Sequence, residues 1–249
     1  MKDPRLLEPA AQELQGRVIA VTGAGDGIGR AVALAAAASG AQVILIGRTV
    51  RKLQGVHQEI LAAHGDVATI APLDLEKALA GDYDQLAAAI LSRYGRLDGL
   101  VHCAGILGTL TPIEQYDVPT WCKVLHVNVT AAFVLTQVLL PALRLSPDAA
   151  VIFTSSTVGR EGRAYWGAYA VSKFAIEGLT QVLAAETQNA TAIRVNVLNP
   201  GPVRTLMRRQ AFPSENVAKL VEPAAVAGAY VALLGPSGKG IHGQSLDCQ

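Results

Sequence analysis

The sequence predicts an α/β fold, a single Rossmann-type doubly wound parallel sheet flanked by helices on both faces. Short apolar runs alternate with longer helical segments, as they do where crossover helices join parallel strands. A glycine-rich turn at 22–29 lies between the first strand and the first helix. The 249 residues, 51% of them hydrophobic, can bury one large core, so we assign residues 1–249 to a single domain.

The first quarter of the chain has the order strand, glycine turn, helix, strand. The strands are predicted at 17–21 and 41–46, and an alanine-rich helix runs between them to about Ser39. A pyrophosphate at such a turn contacts backbone N–H groups and a helix N-terminus, which side chains would block. A glycine turn alone also occurs without a ligand. The contacts predicted from the T-G-x-x-x-G-x-G spacing are Gly23, Gly25, Asp26, Gly27, Ile28 and Gly29.

The end of the second strand indicates which dinucleotide binds. An acidic side chain there would bind the ribose 2′-hydroxyl and repel a 2′-phosphate. Gly47 removes that group, and Arg48 supplies a cation at the start of the next helix. We therefore expect NADP(H) to be favoured over NAD(H). Asp26 opposes this choice, and we interpret it as the N-cap of the helix that begins at Gly27.

The later elements are predicted from the same hydrophobic periodicities. Strands are expected at 67–71, 97–103, 149–153, 193–198 and 243–248, and helices at 82–94, 119–143, 167–187 and 224–234. Ligands of open α/β sheets bind at the carboxyl ends of the strands. Asp74 is placed there to receive the adenine amino group, and Gly105 leaves room for the cofactor. The predicted contacts in these segments are Asp74, Leu75, Ala104, Gly105, Pro200, Gly201, Val203 and Thr205.

Three residues around the fifth strand and the helix after it carry the predicted chemistry. Tyr169 and Lys173 are four residues apart, so both side chains project from one helix face. A cation about 4 Å from the phenol is worth roughly 4 kcal/mol at an effective dielectric of about 20. We therefore expect Lys173 to lower the pKa of Tyr169, while Ser156 hydrogen-bonds the substrate oxygen. The alternative is a chance pair, in which Tyr169 packs its ring and Lys173 is solvated.

The long helix predicted at 119–143 carries Asn128 among apolar neighbours. Such an amide is either satisfied within the core or holds a relay water. The apolar stretch Ala131–Leu143 is interrupted by polar residues and a proline, and it is too short to span a bilayer. We therefore expect no membrane partner.

A basic segment near the C-terminus, 207–220, is predicted to be part of a substrate lid at about 203–222. Tyr165 and Trp166 suggest an aromatic wall for the substrate pocket. Nearby arginines would bind an anionic tail or simply be solvated: Arg160, Arg163, Arg204, Arg208 and Arg209.

Composition excludes several classes of function. The net charge of +1 gives no argument for nucleic-acid binding. Three cysteines, scattered and without ligand spacing, argue for a reducing compartment, against a disulfide scaffold and against a metal site. Residues 1–13 contain acids and prolines where an export signal has an apolar core, so we expect a surface extension and a cytoplasmic protein.

Together the motifs resemble the short-chain dehydrogenase/reductase family over about residues 14–248. They are the glycine turn, Asn128, Ser156, the Tyr169–Lys173 pair and Pro200–Gly201, in that order. The sequence segments FTSS, GREGRAYWGAYA and AFP are most similar to those of the YciK-like oxidoreductases of that family.

The resemblance implies an NAD(P)(H)-dependent interconversion of a small ketone and alcohol. It implies that Tyr169 is the acid/base, that Ser156 positions the carbonyl, that Lys173 binds the nicotinamide ribose and that Asn128 holds a relay water. In this way Tyr169 and Lys173 are also cofactor contacts. His102-Cys103 replaces the usual pair of asparagines, and we interpret His102 as structural.

Two classes of function remain open from the sequence. One is an NADP(H)-dependent carbonyl reductase or alcohol dehydrogenase acting on a small molecule. The other is a catalytically idle protein of the same fold that binds dinucleotide as a sensor or scaffold. The helices around Asn128 and after Lys173 carry more apolar surface than one sheet face covers, which predicts a homo-oligomer, a dimer or a tetramer.

Overall fold

The computed structural model describes residues 9–249, so most of the predicted N-terminal extension lies outside the described residues. Its last residue, Glu13, is only 7% exposed, and its carboxylate accepts a hydrogen bond from the Ser237 N–H at 2.6 Å. Glu13 is therefore packed against the domain and is not part of a surface extension.

The centre of the fold is a seven-stranded sheet in the order β3-β2-β1-β4-β5-β6-β7, with every pairing parallel. Its strands β1 to β7 are Val18–Thr22, Gln42–Gly47, Ala68–Pro72, Gly99–His102, Ala149–Thr154, Ile193–Asn199 and Ser245–Asp247. The strand order reverses between β1 and β4, which makes this the switch point where ligands of such sheets bind. The predicted fold class is confirmed.

Helices cover both faces of the sheet. They are, from α1 to α8, Gly27–Ala38, Val50–His64, Ala80–Tyr94, Val118–Leu125, Ala131–Arg144, Gly167–Thr187, Leu206–Ala211 and Pro223–Leu234. Successive side chains of a strand point to opposite faces. In β1, Ile19 and Val21 pack in one core with α1, α2 and α8, whereas Val18 and Ala20 pack in the other with α3, α5 and α6.

The predicted long helix is continuous from Val118 to Arg144, with a π-helical turn at His126–Thr130 between α4 and α5. Its 27 residues are long and apolar enough to cross a bilayer by length and composition, so the sequence argument from length was wrong. The packing of the helix is that of a core helix, because Leu135, Leu139 and Leu143 are fully buried against the sheet. Composition of this kind is also typical of a core helix.

The predicted lid is made of two short elements and the loops between them. It contains the short helix α7 and a 3₁₀ turn at Val217–Lys219. Its two ends are joined by a parallel bridge between Val203 and Val221, and the Arg204 N–H donates to the Val221 carbonyl at 2.9 Å. The segment between them therefore folds over the cleft as a closed loop.

Candidate active site

A cleft of about 990 Å³ lies at the carboxyl edge of the sheet, above the switch point between β1 and β4. The predicted site residues come together there: every one of them lines this cleft except Asn128, which lies behind its floor. The volume is at the upper end of the range for small-molecule and cofactor sites.

The glycine turn brings the N-terminus of α1 to the cleft. Gly23 has a φ of +67°, and a Cβ there would lie 3.0 Å from the backbone of Ala104, so the close approach of the two segments requires glycine. As predicted, Asp26 is the N-cap of α1, and its carboxylate accepts from the Gly27 N–H at 2.8 Å. The first turn of the helix therefore faces the cleft with its N–H groups, which suits a phosphate.

Cations line the end of the cleft beside Gly47, the adenosine end, where the adenosine of a dinucleotide is expected to bind. Sequence reasoning missed one of these cations. Lys52 Nζ lies 2.5 Å from the Asp26 carboxylate, and this hydrogen bond is the main reason that the pKa of Asp26 is lowered. Lys52 therefore neutralises the carboxylate that seemed to oppose a 2′-phosphate. The available signal was its position in the first turn of α2, four residues after Arg48, which brings it close to the end of β2.

Two ion pairs that share the Glu76 carboxylate lie at the same end of the cleft. Glu76 Oε2 lies 3.7 Å from Arg48 Nη1, and Glu76 Oε1 lies 2.7 Å from Lys123 Nζ on α4. The pKa of Glu76 is lowered, chiefly by the hydrogen bond from Lys123. Neither Glu76 nor Lys123 was predicted, because their pairing joins segments that are distant in the sequence.

The residues that replace the usual asparagines are braced by other groups. Thr22 Oγ1 accepts hydrogen bonds from the Cys103 and Ala104 N–H groups, both at 3.1 Å, and so holds the segment that follows β4. His102 stacks on Phe153 with ring centroids 4.8 Å apart, and its Nε2 lies 2.9 Å from Thr136 Oγ1. Burial lowers the pKa of His102 to about 3, so it is neutral at physiological pH, and its ring is used in packing and in one hydrogen bond.

Asn128 lies in the π-helical turn and is buried behind Gly105. Its side-chain Oδ1 accepts from the Ile106 N–H at 2.8 Å, and its Nδ2 donates to the Ile106 carbonyl and the Ser172 hydroxyl, both at 3.0 Å. A Cβ on Gly105 would lie 3.3 Å from Asn128 Oδ1. The amide thus fixes the loop that forms the cleft floor, and a π turn is a frequent sign of a functional site.

Ser156, Tyr169 and Lys173 meet at the centre of the cleft. The Ser156 hydroxyl is within hydrogen-bonding reach of the Tyr169 phenol. Lys173 Nζ donates to the Thr154 carbonyl at 2.7 Å and lies 5.5 Å from the centre of the Tyr169 ring. Gly159 makes this packing possible, because a Cβ there would lie 2.6 Å from the Ser155 hydroxyl and 2.9 Å from Lys173 Cβ.

The expected effect of Lys173 on Tyr169 was wrong for the protein alone. Burial raises the pKa of Tyr169 to about 12, and only the hydrogen bond from Ser156 opposes this rise. Burial also lowers the pKa of Lys173 to about 8. The two side chains are 8% and 6% exposed, so desolvation disfavours both charged forms. The ammonium also faces the ring, and its hydrogen bond goes to Thr154.

The part of the cleft beside Tyr169 and Trp166, the expected substrate end, is apolar. Leu107, Trp166 and Tyr169 form a small cluster with lid residues, among them Met207 and Phe212. Trp166 lines the cleft as predicted, but Tyr165 does not: it is 61% exposed, and its backbone has a φ of +72°.

The C-terminal residues support the loop at Pro200. Gln249 Nε2 donates to the Pro200 carbonyl at 2.6 Å, and Asn199 Nδ2 donates to Asp247 at 2.8 Å. Arg160 forms two hydrogen bonds with the Asp247 carboxylate, at 2.8 and 2.9 Å. Arg160 is therefore used in holding the C-terminal strand.

The cleft suits a dinucleotide that carries a 2′-phosphate. No acidic group follows β2, Gly47 standing at that position, and Arg48 and Lys52 line the adenosine end. A Cβ on Gly25 would lie 2.9 Å from Lys52 Cβ, so a side chain in the turn would displace this lysine. These are the requirements for binding a phosphate beside a helix N-terminus.

Comparisons with known proteins agree with this geometry. The profile of the family described as short chain dehydrogenase matches residues 17–216. The chain is 46% identical over 242 residues to the uncharacterised oxidoreductase YciK of Escherichia coli (strain K12), covering 97% of this chain and 95% of that protein.

Solved structures are similar over nearly the whole chain. A Pseudomonas syringae protein assigned to the short chain dehydrogenases is 50% identical, with a TM-score of 0.96 and 98% of both chains covered. One from Escherichia coli CFT073, solved in complex with NADPH, is 47% identical with a TM-score of 0.93. It covers 96% of this chain and 100% of that chain.

Proposed function

The chain belongs to the short-chain dehydrogenase family, and we propose that it is an NADP(H)-dependent carbonyl reductase or alcohol dehydrogenase of small molecules. The observation that carries this proposal is the meeting of Ser156, Tyr169 and Lys173 in one cleft with the glycine turn and Arg48. The NADPH-bound structure of a relative supports the choice of cofactor. The cytoplasm is the proposed compartment, on the evidence of the cysteine pattern.

Each site residue has a proposed role in the reduction. NADPH, when bound, supplies the hydride. Tyr169 donates a proton to the carbonyl oxygen, and its raised pKa keeps it protonated at neutral pH. Ser156 hydrogen-bonds the same oxygen. Lys173 binds the nicotinamide ribose, and its ammonium stabilises the phenolate that remains. Asn128 was expected to hold a relay water, but its amide is satisfied by Ile106 and Ser172, so its proposed role is to hold the loop behind the cleft.

The direct test of this function is NADPH oxidation with a panel of carbonyl compounds. We expect turnover of at least one class among cyclic diketones, aromatic aldehydes and 3-oxoacyl thioesters. Tight NADPH binding without turnover of any compound would instead favour an idle dinucleotide sensor.

Cofactor preference is expected to depend on Arg48. Arg48→Asp removes a cation from the 2′-phosphate site and places there a carboxylate that accepts from the ribose hydroxyls of NADH. A hydrogen bond to a charged group is worth about 1.5–3 kcal/mol, so kcat/KM for NADPH should fall roughly 10- to 100-fold and that for NADH should rise. Steady-state kinetics with both cofactors measures this ratio.

Arg51 provides the matched control, because it is exposed at the start of α2, three residues after Arg48, and does not line the cleft. Arg51→Asp should leave the ratio of the two kcat/KM values unchanged. A wild-type protein that prefers NADH would contradict the proposed cofactor.

We also propose a homo-oligomer formed through α5 and α6. Val171, Phe174 and Val182 lie on one face of α6 and are 44%, 45% and 57% exposed, and Phe133 on α5 is 45% exposed. Gly178 lies on the same face, and a Cβ there would meet nothing within 4 Å. A partner chain would bury this apolar surface.

The expected assembly is a dimer or tetramer at micromolar concentration, measured by light scattering. Phe174→Glu places a charge in the apolar face and should lower the mass toward that of the monomer. Leu79→Glu is the control, since Leu79 is 75% exposed at the start of α3, outside this face. A monomeric mass for the wild type would refute the proposal.

A further inference from the structure

We propose that the substrate end of the cleft selects neutral, apolar carbonyl compounds, and that Glu215 enforces this choice by neutralising Arg208. The inference rests on the proposed reductase function and names its substrate class. It follows from the walls of the cleft beside Tyr169 and from the ion pairs of the lid.

The wall beside the reacting centre is made of hydrocarbon and aromatic surface. Trp166 lies 5.8 Å from the Tyr169 ring and 5.6 Å from the Phe212 ring, measured between ring centroids. Leu107, Leu110 and Met207 pack in the same cluster. A ligand group that enters this part of the cleft replaces water against apolar side chains, which favours an uncharged group.

Cations along the described cleft lining are few and unevenly placed. Arg48, Lys52 and Lys123 lie at the adenosine end, and Lys173 belongs to the catalytic group. Arg208 is the cation that lines the substrate end. An anionic substrate would need this guanidinium, so its partners decide what the site accepts.

Arg208 is already occupied on two sides. Its Nε donates to Glu215 Oε2 at 2.7 Å and its Nη2 donates to Glu215 Oε1 at 2.5 Å, a bidentate pair. The flat face of the guanidinium lies 3.8 Å from the centre of the Phe212 ring. The side chains of Arg208 and Glu215 are 24% and 28% exposed, so the pair is partly shielded from water. The carboxylate thus occupies the place that an anionic substrate group would take.

The other arginines predicted to bind an anionic tail do not replace it. Arg160 is paired with Asp247 and Arg204 with Glu222. Arg163 lies over the Trp166 and Phe212 rings, at 5.6 and 5.2 Å, and does not itself line the cleft. Arg209 is exposed and does not line the cleft. Of the arginines predicted to bind an anionic tail, Arg208 is therefore the one that lines the described cleft, and it is paired with Glu215.

The test compares two ketones that differ by one carboxylate group: 4-phenylcyclohexanone and its para-carboxylate, 4-(4-oxocyclohexyl)benzoate. Their binding to the NADP⁺-loaded protein is measured by calorimetry, which needs no turnover. We expect the neutral ketone to bind at least about tenfold more tightly. Equal or tighter binding of the carboxylate, or binding of neither probe, overturns the proposal.

Glu215→Gln tests the role of the lid pair. It leaves Arg208 and its contact with Phe212 in place but removes the competing charge. The carboxylate probe should then bind at least about fivefold more tightly than it binds wild type, with little change for the neutral ketone. Unchanged affinity for the carboxylate overturns the assignment to Glu215.

Glu222→Gln is the matched control, because Glu222 pairs with Arg204 of the same lid, which does not line the cleft. It should change neither affinity, and a gain equal to that of Glu215→Gln would contradict the proposal. NADPH oxidation with the carbonyl panel is measured separately. A failure of the reductase function would therefore be distinguished from a failure of substrate selection.

Discussion

Replacement of Tyr169 by Phe is expected to lower kcat for carbonyl reduction by at least about 10²-fold, and by up to about 10⁴-fold. The change keeps the ring, which packs between Trp166 and the cleft floor, and removes the proton that the substrate oxygen takes up. KM for NADPH should change little, because the proposed hold on the cofactor comes from Lys173 and the glycine turn. Single-turnover kinetics at saturating NADPH measures the effect.

Tyr83→Phe is the control for this experiment. Tyr83 is 3% exposed on α3 and does not line the cleft, so the loss of its hydroxyl should leave kcat unchanged. If Tyr169→Phe retained more than about a tenth of wild-type kcat with hydride transfer rate-limiting, the proton would have to come from another group. Ser156 would then be the first candidate.

Replacement of Lys173 by Met is expected to abolish turnover and, unusually, to stabilise the cofactor-free protein. Burial lowers the pKa of this lysine from 10.5 to about 8. Burying the charged ammonium on folding at neutral pH therefore costs free energy. Each pKa unit is worth about 1.4 kcal/mol. After the loss of the hydrogen bond to Thr154, the gain in free energy of unfolding at pH 7 should be about 2 kcal/mol.

The pH dependence of this gain follows from the direction of the shift. The folded state binds the proton less tightly than the unfolded state, so the penalty is fully present below pH 8 and disappears as pH rises toward 10.5. Urea unfolding of both proteins at pH 7 and at about pH 9.5 should show a smaller gain at the higher pH. Lys239→Met, at an exposed lysine, should show no such trend. A destabilised Lys173→Met protein at pH 7 would contradict the argument.

The fold was largely predictable because its determinants are local. Alternation within β1 and β5 sends successive side chains into two cores, and a buried sheet of this kind produces the apolar runs that the sequence shows. Asp26 was correctly interpreted as a cap because capping depends on a few neighbouring residues. The π-helical turn at Asn128 was not predicted, since hydrophobic periodicity does not reveal a single extra residue in a helix.

The site was predictable in its membership and less so in its electrostatics. The glycine turn, Ser156, Tyr169 and Lys173 were predicted from their spacing together with the family resemblance of the ordered motifs, and the structure brings them into one cleft. The pairs Asp26–Lys52, Glu76–Lys123 and Arg208–Glu215 depend on tertiary contacts, and the first two join segments far apart in the sequence. The pKa of Tyr169 was misjudged because i, i+4 spacing gives proximity but not burial, and desolvation is the larger effect.

The central claim is that this chain transfers a hydride from NADPH to a carbonyl carbon, with the proton coming from Tyr169. The most direct measurement uses NADPH deuterated at the transferable C4 position, with the product alcohol analysed by mass spectrometry. For wild type and Tyr83→Phe, the expected product carries one deuterium on the carbinol carbon. For Tyr169→Phe, the deuterated alcohol should form at less than about a hundredth of the wild-type rate. NADPH binding with no deuterium in any product across the carbonyl panel would contradict the account.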